Sequence, residues 1–218
     1  MAAAKRAREA GMAADLRSLV NPATTAVLTM ELQRGITGDL AAMQALAKEV
    51  HELGVIDNVA RLLAAARTAG AAVVHCTAAF RPDERGSKVN TRIGAASRKL
   101  NQGRLNIGHP GAEIMPELNP QPTDIEVTRI HGMTPFTSTS LDQILRNMGI
   151  TTIIATGNSV NIGVLGLTLT ASDLGYQVVV PRDAVAGVPK AYADAVLDNT
   201  ISLLATLTTT DDVIGAWS

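Results

Sequence analysis

Short apolar segments alternate with helical patterns along most of this chain, and this alternation restricts the fold more than any other feature. The apolar segments predict buried strands over residues 24–30, 71–77, 125–129, 151–156 and 176–180. Apolar residues recur at helical spacing over residues 41–69, 140–148, 161–174 and 191–204. Because such alternation favours parallel strands with helices on both faces, we predict an α/β fold: a single three-layer, doubly wound domain with a mostly parallel sheet.

The composition predicts a folded domain and argues against several classes of partner. Hydrophobic residues make up 46% of the 218 residues, and aromatic residues only 2%, so the core is built from Ala, Val, Leu and Ile. The formal net charge of −1 gives no electrostatic reason to expect nucleic acid or an anionic membrane surface as a partner. Since no apolar run reaches roughly 18 residues, we expect no transmembrane helix.

The single cysteine indicates the cellular compartment, and the composition of the N-terminal residues indicates where the folded domain begins. Cys76 is the one cysteine, which excludes an internal disulfide and a cysteine-rich metal site and is typical of a reducing compartment. We therefore predict a cytoplasmic protein with no cofactor and no metal. Residues 1–20 scatter charges among alanines and predict a helical or partly disordered arm, followed by one domain over residues 21–218. Residues 81–122 predict a mostly irregular segment that is functional or covers a site.

Polar residues follow three of the predicted strands. Glu31 and Gln33 follow the first strand, and Arg129 and His131 stand at the end of the third. The fourth strand leads into residues 157–163, which we call the elbow. A strand–turn–helix junction of this kind directs free backbone N–H groups and the positive end of a helix dipole at one point. Ligands of doubly wound sheets bind at the carboxyl ends of the strands, so we predict that these groups share one pocket.

In their order and spacing these segments resemble the isochorismatase-like cysteine hydrolases. The resemblance is carried by Glu31-Leu32-Gln33, Arg129, Thr134-Pro135-Phe136, Ser140-Leu141, the run from Thr156 to Val164, Gly175-Tyr176-Gln177-Val178 and Asp183-Ala184. It implies that the family's catalytic aspartate, lysine and cysteine positions are occupied here by Glu31, Arg129 and Gly163. It also implies a cis peptide between Asn158 and Ser159. We assign Gln33, His131, Phe136, Asn158, Ser159 and Asn161 as candidate substrate-binding residues.

All three positions of the family's catalytic triad are changed in this chain. Glu31 keeps a carboxylate but is one methylene longer than aspartate. Arg129 stays protonated and cannot exchange a proton, although a guanidinium binds a carboxylate in a bidentate pair. Gly163 has no thiol, which excludes the covalent thioester route that the family uses. Backbone N–H groups of the elbow, those of Ser159 and Gly163, still offer donors for a substrate oxygen.

Two functions follow as hypotheses. The first is a hydrolase of a small carboxylated molecule that uses acid–base chemistry without a thiol. The resemblance supplies a precedent, because true isochorismatases also carry glycine at the cysteine position and use the carboxylate as a proton donor. An adjacent Arg129 favours the ionised form of Glu31, which opposes proton donation. The second hypothesis is an inactive homologue that binds a small anion or serves as an assembly partner.

Individual residues have structural alternatives to their functional roles. Arg129 either binds a substrate carboxylate or forms a structural pair with Glu31. His131 is either a catalytic base or a loop histidine bonded to the backbone. His75 and Cys76 lie within a predicted strand and are expected in the core or at its rim rather than in a functional role. The resemblance also implies a homo-oligomer, a dimer or a tetramer, and a small-molecule substrate or ligand.

Overall fold

The computed structural model describes residues 16–218, and its strands form one parallel sheet. They are β1 (Thr25–Met30), β2 (Ala72–Ala78), β3 (Ile125–Arg129), β4 (Thr152–Asn158), β5 (Gln177–Pro181), β6 (Val185–Ala186) and β7 (Thr206–Thr208). The strand order is β3-β2-β1-β4-β5-β7, with β6 beside β4, and each pairing between these strands is parallel. Because the chain extends the sheet first on one side of β1 and then on the other, the sheet is doubly wound, as predicted.

Helices cover both faces of the sheet. They are α1 (Gln44–Glu52), α2 (Val55–Ala69), α3 (Arg92–Asn101), α4 (Leu141–Asn147), α5 (Leu165–Asp173), α6 (Lys190–Asn199) and α7 (Thr210–Ala216). Alternate residues of β1 point to opposite faces: Leu28 packs in a cluster with residues of α4, α5 and α6, whereas Val27 packs with residues of α1, α2 and α7. The predicted three-layer arrangement is therefore confirmed.

Several element boundaries differ from the sequence prediction. The single helix predicted over residues 41–69 is two helices, because Gly54 adopts a left-handed conformation with a φ of +65° between α1 and α2. The helix predicted over residues 161–174 begins with a π-helical turn, Val160–Val164, before α5. Residues 81–122 contain α3 and two short 3₁₀-helices, Pro110–Ala112 and Pro116–Leu118.

The N-terminal arm predicted over residues 1–20 falls largely outside the described residues, which begin at 16. Leu16 and Val20 are buried in the same cluster as Val27. The indole nitrogen of Trp217 donates a hydrogen bond to the carbonyl of Val20 over 2.6 Å. Residues 16–20 thus pack on the domain. Across residues 16–218, no helix has the length and apolar character needed to cross a bilayer.

The strand register brings the ends of the central strands to one edge of the sheet. Met30, the last residue of β1, is level with Cys76 of β2 and with Gly157 of β4. Ala78 at the end of β2 is level with Arg129 at the end of β3. β1 lies between β2 and β4, which is where the direction of winding reverses. A crevice is expected at the carboxyl edge of such a reversal.

Candidate active site

A pocket of about 560 Å³ opens at this carboxyl edge. Glu31, Arg129, Asn158, Ser159 and Gly163 all line it, so the structure brings together the strand ends and the elbow as the sequence predicted. The opposite wall comes from residues 81–106, including parts of α3. We call residues 81–106 the covering segment, because they lie over the strand ends.

Glu31 is held in a conformation that few residues other than glycine adopt. It directly follows β1 with a φ of +54°. Its backbone N–H donates to the carbonyl of Cys76 over 2.9 Å, and its own carbonyl accepts a hydrogen bond from Asn158 Nδ2 over 3.1 Å. Residues in strained backbone regions concentrate at functional sites, where neighbouring contacts fix them. The carboxylate of Glu31 is 19% exposed and faces the pocket.

Arg129 is the ion-pair partner of Glu31. Its Nη2 donates to Glu31 Oε1, and its Nε donates to the carbonyl of Gly132 over 3.0 Å. The side chain is only 6% exposed, and Nη1 is buried without a partner among the described residues. The nitrogen of the guanidinium that has no partner is therefore a buried one, and the other two donate to Glu31 and Gly132. Of the two roles considered for Arg129, this geometry favours the structural pair with Glu31.

The elbow joins the end of β4 to the end of β1. The peptide between Asn158 and Ser159 is cis, as the resemblance implied. The buried side-chain amide of Asn158 donates to the carbonyls of Met30 and Glu31 over 3.3 and 3.1 Å. Ser159 Oγ donates to Asn161 Oδ1 over 2.5 Å. Asn161 also lines the pocket, so these three polar residues of the elbow are placed where the sequence predicted.

Gly163 lies where the elbow packs closely against β1. A Cβ atom at this position would stand 2.9 Å from the carbonyl oxygen of Asn158 and 3.1 Å from Cε of Met30. Such approaches are shorter than the van der Waals contacts of real side chains, so the backbone or Met30 would have to shift. The glycine is therefore a packing requirement here, as well as the loss of a thiol.

The one cysteine of the chain cannot replace the missing nucleophile. Cys76 lies on β2, is 1% exposed and does not line the pocket. Burial raises the pKa of its thiol to about 12. Because the thiolate is the nucleophilic form of cysteine, this residue is inert at neutral pH. The expectation that Cys76 belongs to the core is confirmed.

Two predicted substrate-binding residues lie outside the pocket. Gln33 is fully buried, and its Nε2 donates to the carbonyls of Ala78 and Ala112 over 3.0 and 2.7 Å. Its Oε1 accepts a hydrogen bond from the N–H of Ala78 over 2.8 Å. Phe136 packs against the core and stacks on Tyr176, with ring centroids 6.0 Å apart. Gln33 therefore pairs with backbone groups, and Phe136 contributes to packing.

His131 does line the pocket, and its ring is bonded to the backbone. Its Nδ1 accepts a hydrogen bond from the N–H of Lys88 over 3.3 Å. A nitrogen that accepts such a bond carries no proton, so the neutral ring carries its proton on Nε2. His131 is thus a hydrogen-bond donor through Nε2.

The covering segment supplies pocket residues that the sequence analysis missed. Arg81, Glu84, Lys88 and Arg98 all line the pocket. Arg98 pairs with Glu84 over 2.9 Å, and Arg81 pairs with Asp83 over 2.7 Å. The length and polarity of the segment signalled a covering role, but no motif marked these individual residues. Across residues 16–218, no cluster of three His, Cys, Asp or Glu side chains is placed to hold a metal ion.

A second polar network is buried in the sheet, outside the pocket. Nδ1 of His75 lies 2.9 Å from Thr29 Oγ1, and Nε2 lies 3.2 Å from Asp124 Oδ2. Asp124 also accepts two hydrogen bonds from Arg67, over 3.1 and 2.7 Å. Burial lowers the pKa of His75, although Asp124 opposes that shift. Burial alone would raise the pKa of Asp124, but Arg67, the N–H of Gln121 and His75 together lower it.

This network makes the free energy of unfolding depend on pH. Because the pKa of His75 in the folded state lies below its ordinary value of about 6.5, the unfolded chain binds a proton first as the pH falls. Stability is therefore expected to decline as the pH drops below about 6.5. Urea unfolding from pH 7.5 to pH 5 checks this. His75→Gln should flatten the slope, and equal slopes in the wild-type and variant proteins would contradict the assignment.

Comparisons with known proteins agree with this architecture. A family model described as "Isochorismatase domain" matches residues 25–212. A ureidoacrylate amidohydrolase from Pseudomonas syringae pv. syringae is 28% identical over 212 residues, which cover 91% of this chain and 86% of that protein. The crystal structure of a cysteine hydrolase from Pseudomonas syringae pv. phaseolicola superposes with a TM-score of 0.77 at 25% identity, covering 91% of this chain and 94% of that chain. An isochorismatase family protein from Burkholderia thailandensis gives a TM-score of 0.74 at 29% identity, covering 91% and 97%.

Proposed function

The chain belongs to the isochorismatase family, and from this membership we propose that it is a hydrolase of a small carboxylated molecule that works without a thiol nucleophile. One observation carries the proposal. Glu31 lines the pocket, while Cys76 is buried outside it and Gly163 carries no thiol. The group at the family's carboxylate position therefore faces the substrate space, and a thiol does not.

Glu31 acts in this proposal as a general base. An ionised carboxylate accepts a proton, and that of Glu31 lies in the pocket beside Arg129. Glu31 takes a proton from a water molecule as the water oxygen bonds to the carbonyl carbon of the substrate. The carbonyl π electrons move onto the oxygen, which the N–H groups of Ser159 and Gly163 stabilise. When the carbonyl re-forms, the bond to the leaving nitrogen breaks, and Glu31 passes the proton to that nitrogen.

The chemistry of the pocket supports an anionic substrate. Four arginine or lysine side chains line it against two glutamates, which favours a negatively charged ligand. The volume of about 560 Å³ suits a small molecule. The amidohydrolase relative acts on ureidoacrylate by its name, which describes a carboxylate joined to a ureido group. We include ureidoacrylate among the candidate substrates of this chain.

A turnover screen tests the proposal. The protein is incubated with ureidoacrylate, other carboxylated amides and carboxylated enol ethers, isochorismate among them, and products are followed by mass spectrometry. At least one compound should be hydrolysed at a rate proportional to protein concentration, and iodoacetamide should not inhibit the reaction. Turnover of none of them would contradict the hydrolase proposal.

The alternative is an anion-binding homologue without turnover. It is favoured by the hydrogen bond from Arg129 to Glu31, which engages the carboxylate of Glu31 with a fixed cation. Under this alternative, carboxylates raise the Tm of the protein although none is consumed.

We also propose that the protein is a homo-oligomer, a dimer or a tetramer, and that it works in the cytoplasm. Light scattering tests the assembly. A monomer at micromolar concentration would contradict the proposed homo-oligomer.

A further inference from the structure

Among the arginine and lysine side chains that line the pocket, Lys88 of the covering segment forms no ion pair with another described residue. Arg81 and Arg98 are engaged with Asp83 and Glu84. Lys88 lines the same pocket and has no acidic partner among the described residues. A pocket that holds an unpaired ammonium group favours an anion over a neutral ligand of the same shape.

Two hydrogen bonds fix the backbone at Lys88. Ser87 Oγ donates to the carbonyl of Ile130 over 2.5 Å, and the N–H of Lys88 donates to His131 Nδ1 over 3.3 Å. These bonds tie the covering segment to the loop that follows β3. Lys88 and His131 are therefore neighbours on the pocket wall. The neutral ring of His131 can donate a hydrogen bond to a ligand through its Nε2–H.

Arg129 is poorly placed to bind a substrate carboxylate. Nη2 is used by Glu31, Nε is used by the carbonyl of Gly132, and Nη1 is buried. A carboxylate that reached the guanidinium would have to displace the carboxylate of Glu31. The pocket thus needs another cation if its ligand is an anion.

We propose that Lys88 binds the carboxylate of the substrate, with the Nε2–H of His131 as a second donor. The site then selects small carboxylates over neutral analogues of the same size. The inference deepens the proposed function and rests on it for the identity of the site, but it concerns ligand binding and not turnover.

The expected effect follows from the strength of charge-assisted hydrogen bonds. A hydrogen bond to a charged group contributes more than a neutral one, and its loss corresponds to roughly tenfold in affinity or more. Because Lys88 is exposed to solvent, we expect its substitution to lower the affinity for a carboxylate by about tenfold and not by more.

Calorimetric titration with matched probes tests this inference. Succinamate carries one carboxylate, and succinamide is neutral and of similar size. The wild-type protein should bind succinamate about tenfold more tightly than succinamide. Lys88→Met should abolish this preference. Lys99→Met removes a lysine of α3 that does not line the pocket and should leave the preference unchanged.

The outcomes separate this inference from the hydrolase proposal. A wild-type protein without the preference, or a Lys88→Met variant that keeps it, would overturn the role of Lys88. Loss of the preference in Lys88→Met supports the inference even where the screen detects no hydrolysis. In that case the hydrolase proposal fails and the carboxylate site stands.

Discussion

Replacing Glu31 with glutamine is expected to lower kcat/KM by about 10²- to 10⁴-fold while the protein stays folded. A glutamine amide has nearly the size of the carboxylate but cannot take the proton of the attacking water. Its side-chain oxygen still accepts the hydrogen bond that Arg129 Nη2 now donates to Glu31, so the buried guanidinium keeps its partner. Steady-state kinetics on the substrate from the screen, with circular dichroism to confirm folding, measure the effect.

Glu113→Gln is the matched control for this substitution. Glu113 pairs with Arg34 over 2.9 Å at the surface and does not line the pocket. The control also changes a carboxylate to an amide beside an arginine, and it should leave kcat/KM unchanged. If a folded Glu31→Gln variant kept a kcat/KM within about threefold of the wild-type value, Glu31 would have no role in the proton transfer.

Introducing cysteine at Gly163 is expected to destabilise the protein by about 1–3 kcal/mol and to restore no thiol chemistry. The added Cβ would stand 2.9 Å from the carbonyl oxygen of Asn158, so the elbow must shift to accept it. Activation of the new thiol also needs a base held at hydrogen-bond distance, and a shifted elbow does not hold the thiol in a fixed position against Glu31. Urea denaturation measures the stability, and iodoacetamide inhibition reports thiol-dependent turnover.

Two alanine variants separate packing from chemistry. Gly163→Ala adds the same Cβ without a thiol and should lose a similar amount of stability. Gly166→Ala is the second variant. Gly166 lies in α5, one helical turn from Gly163, and its added Cβ would stand 3.6 Å from Cβ of Thr134, which is an ordinary contact. That variant should be neutral or stabilised by about 0.5–1 kcal/mol, because alanine favours a helix more than glycine does. Wild-type stability in Gly163→Cys would contradict the packing argument.

The sequence predicted the sheet well because its strands are short, buried and apolar. The first and third predicted strands match β1 and β3 closely. α3 was missed because it lies in a segment rich in Gly, Pro, Asn and charged residues, and it buries only Asn101. β6 and β7 are two and three residues long, too short for an alternating pattern.

The sequence predicted which strand ends form the site, but not the contacts that each side chain makes. Strand order fixed the positions of Glu31, which follows β1, and of Arg129, which is the last residue of β3. The sequence could not show that the backbone carbonyls of β2 and of residue 112 enclose the amide of Gln33. Neither could it identify Lys88, whose position depends on hydrogen bonds between the covering segment and the loop after β3.

A cysteine-free chain provides the most direct test of hydrolysis without a thiol. Cys76→Ala removes the one thiol of the sequence from a buried position on β2, and circular dichroism would establish that the variant is folded. The measurement is kcat/KM on the substrate from the screen. We predict a value within about twofold of wild type, because no step uses the thiol. Loss of turnover in a folded Cys76→Ala protein would contradict the proposed chemistry.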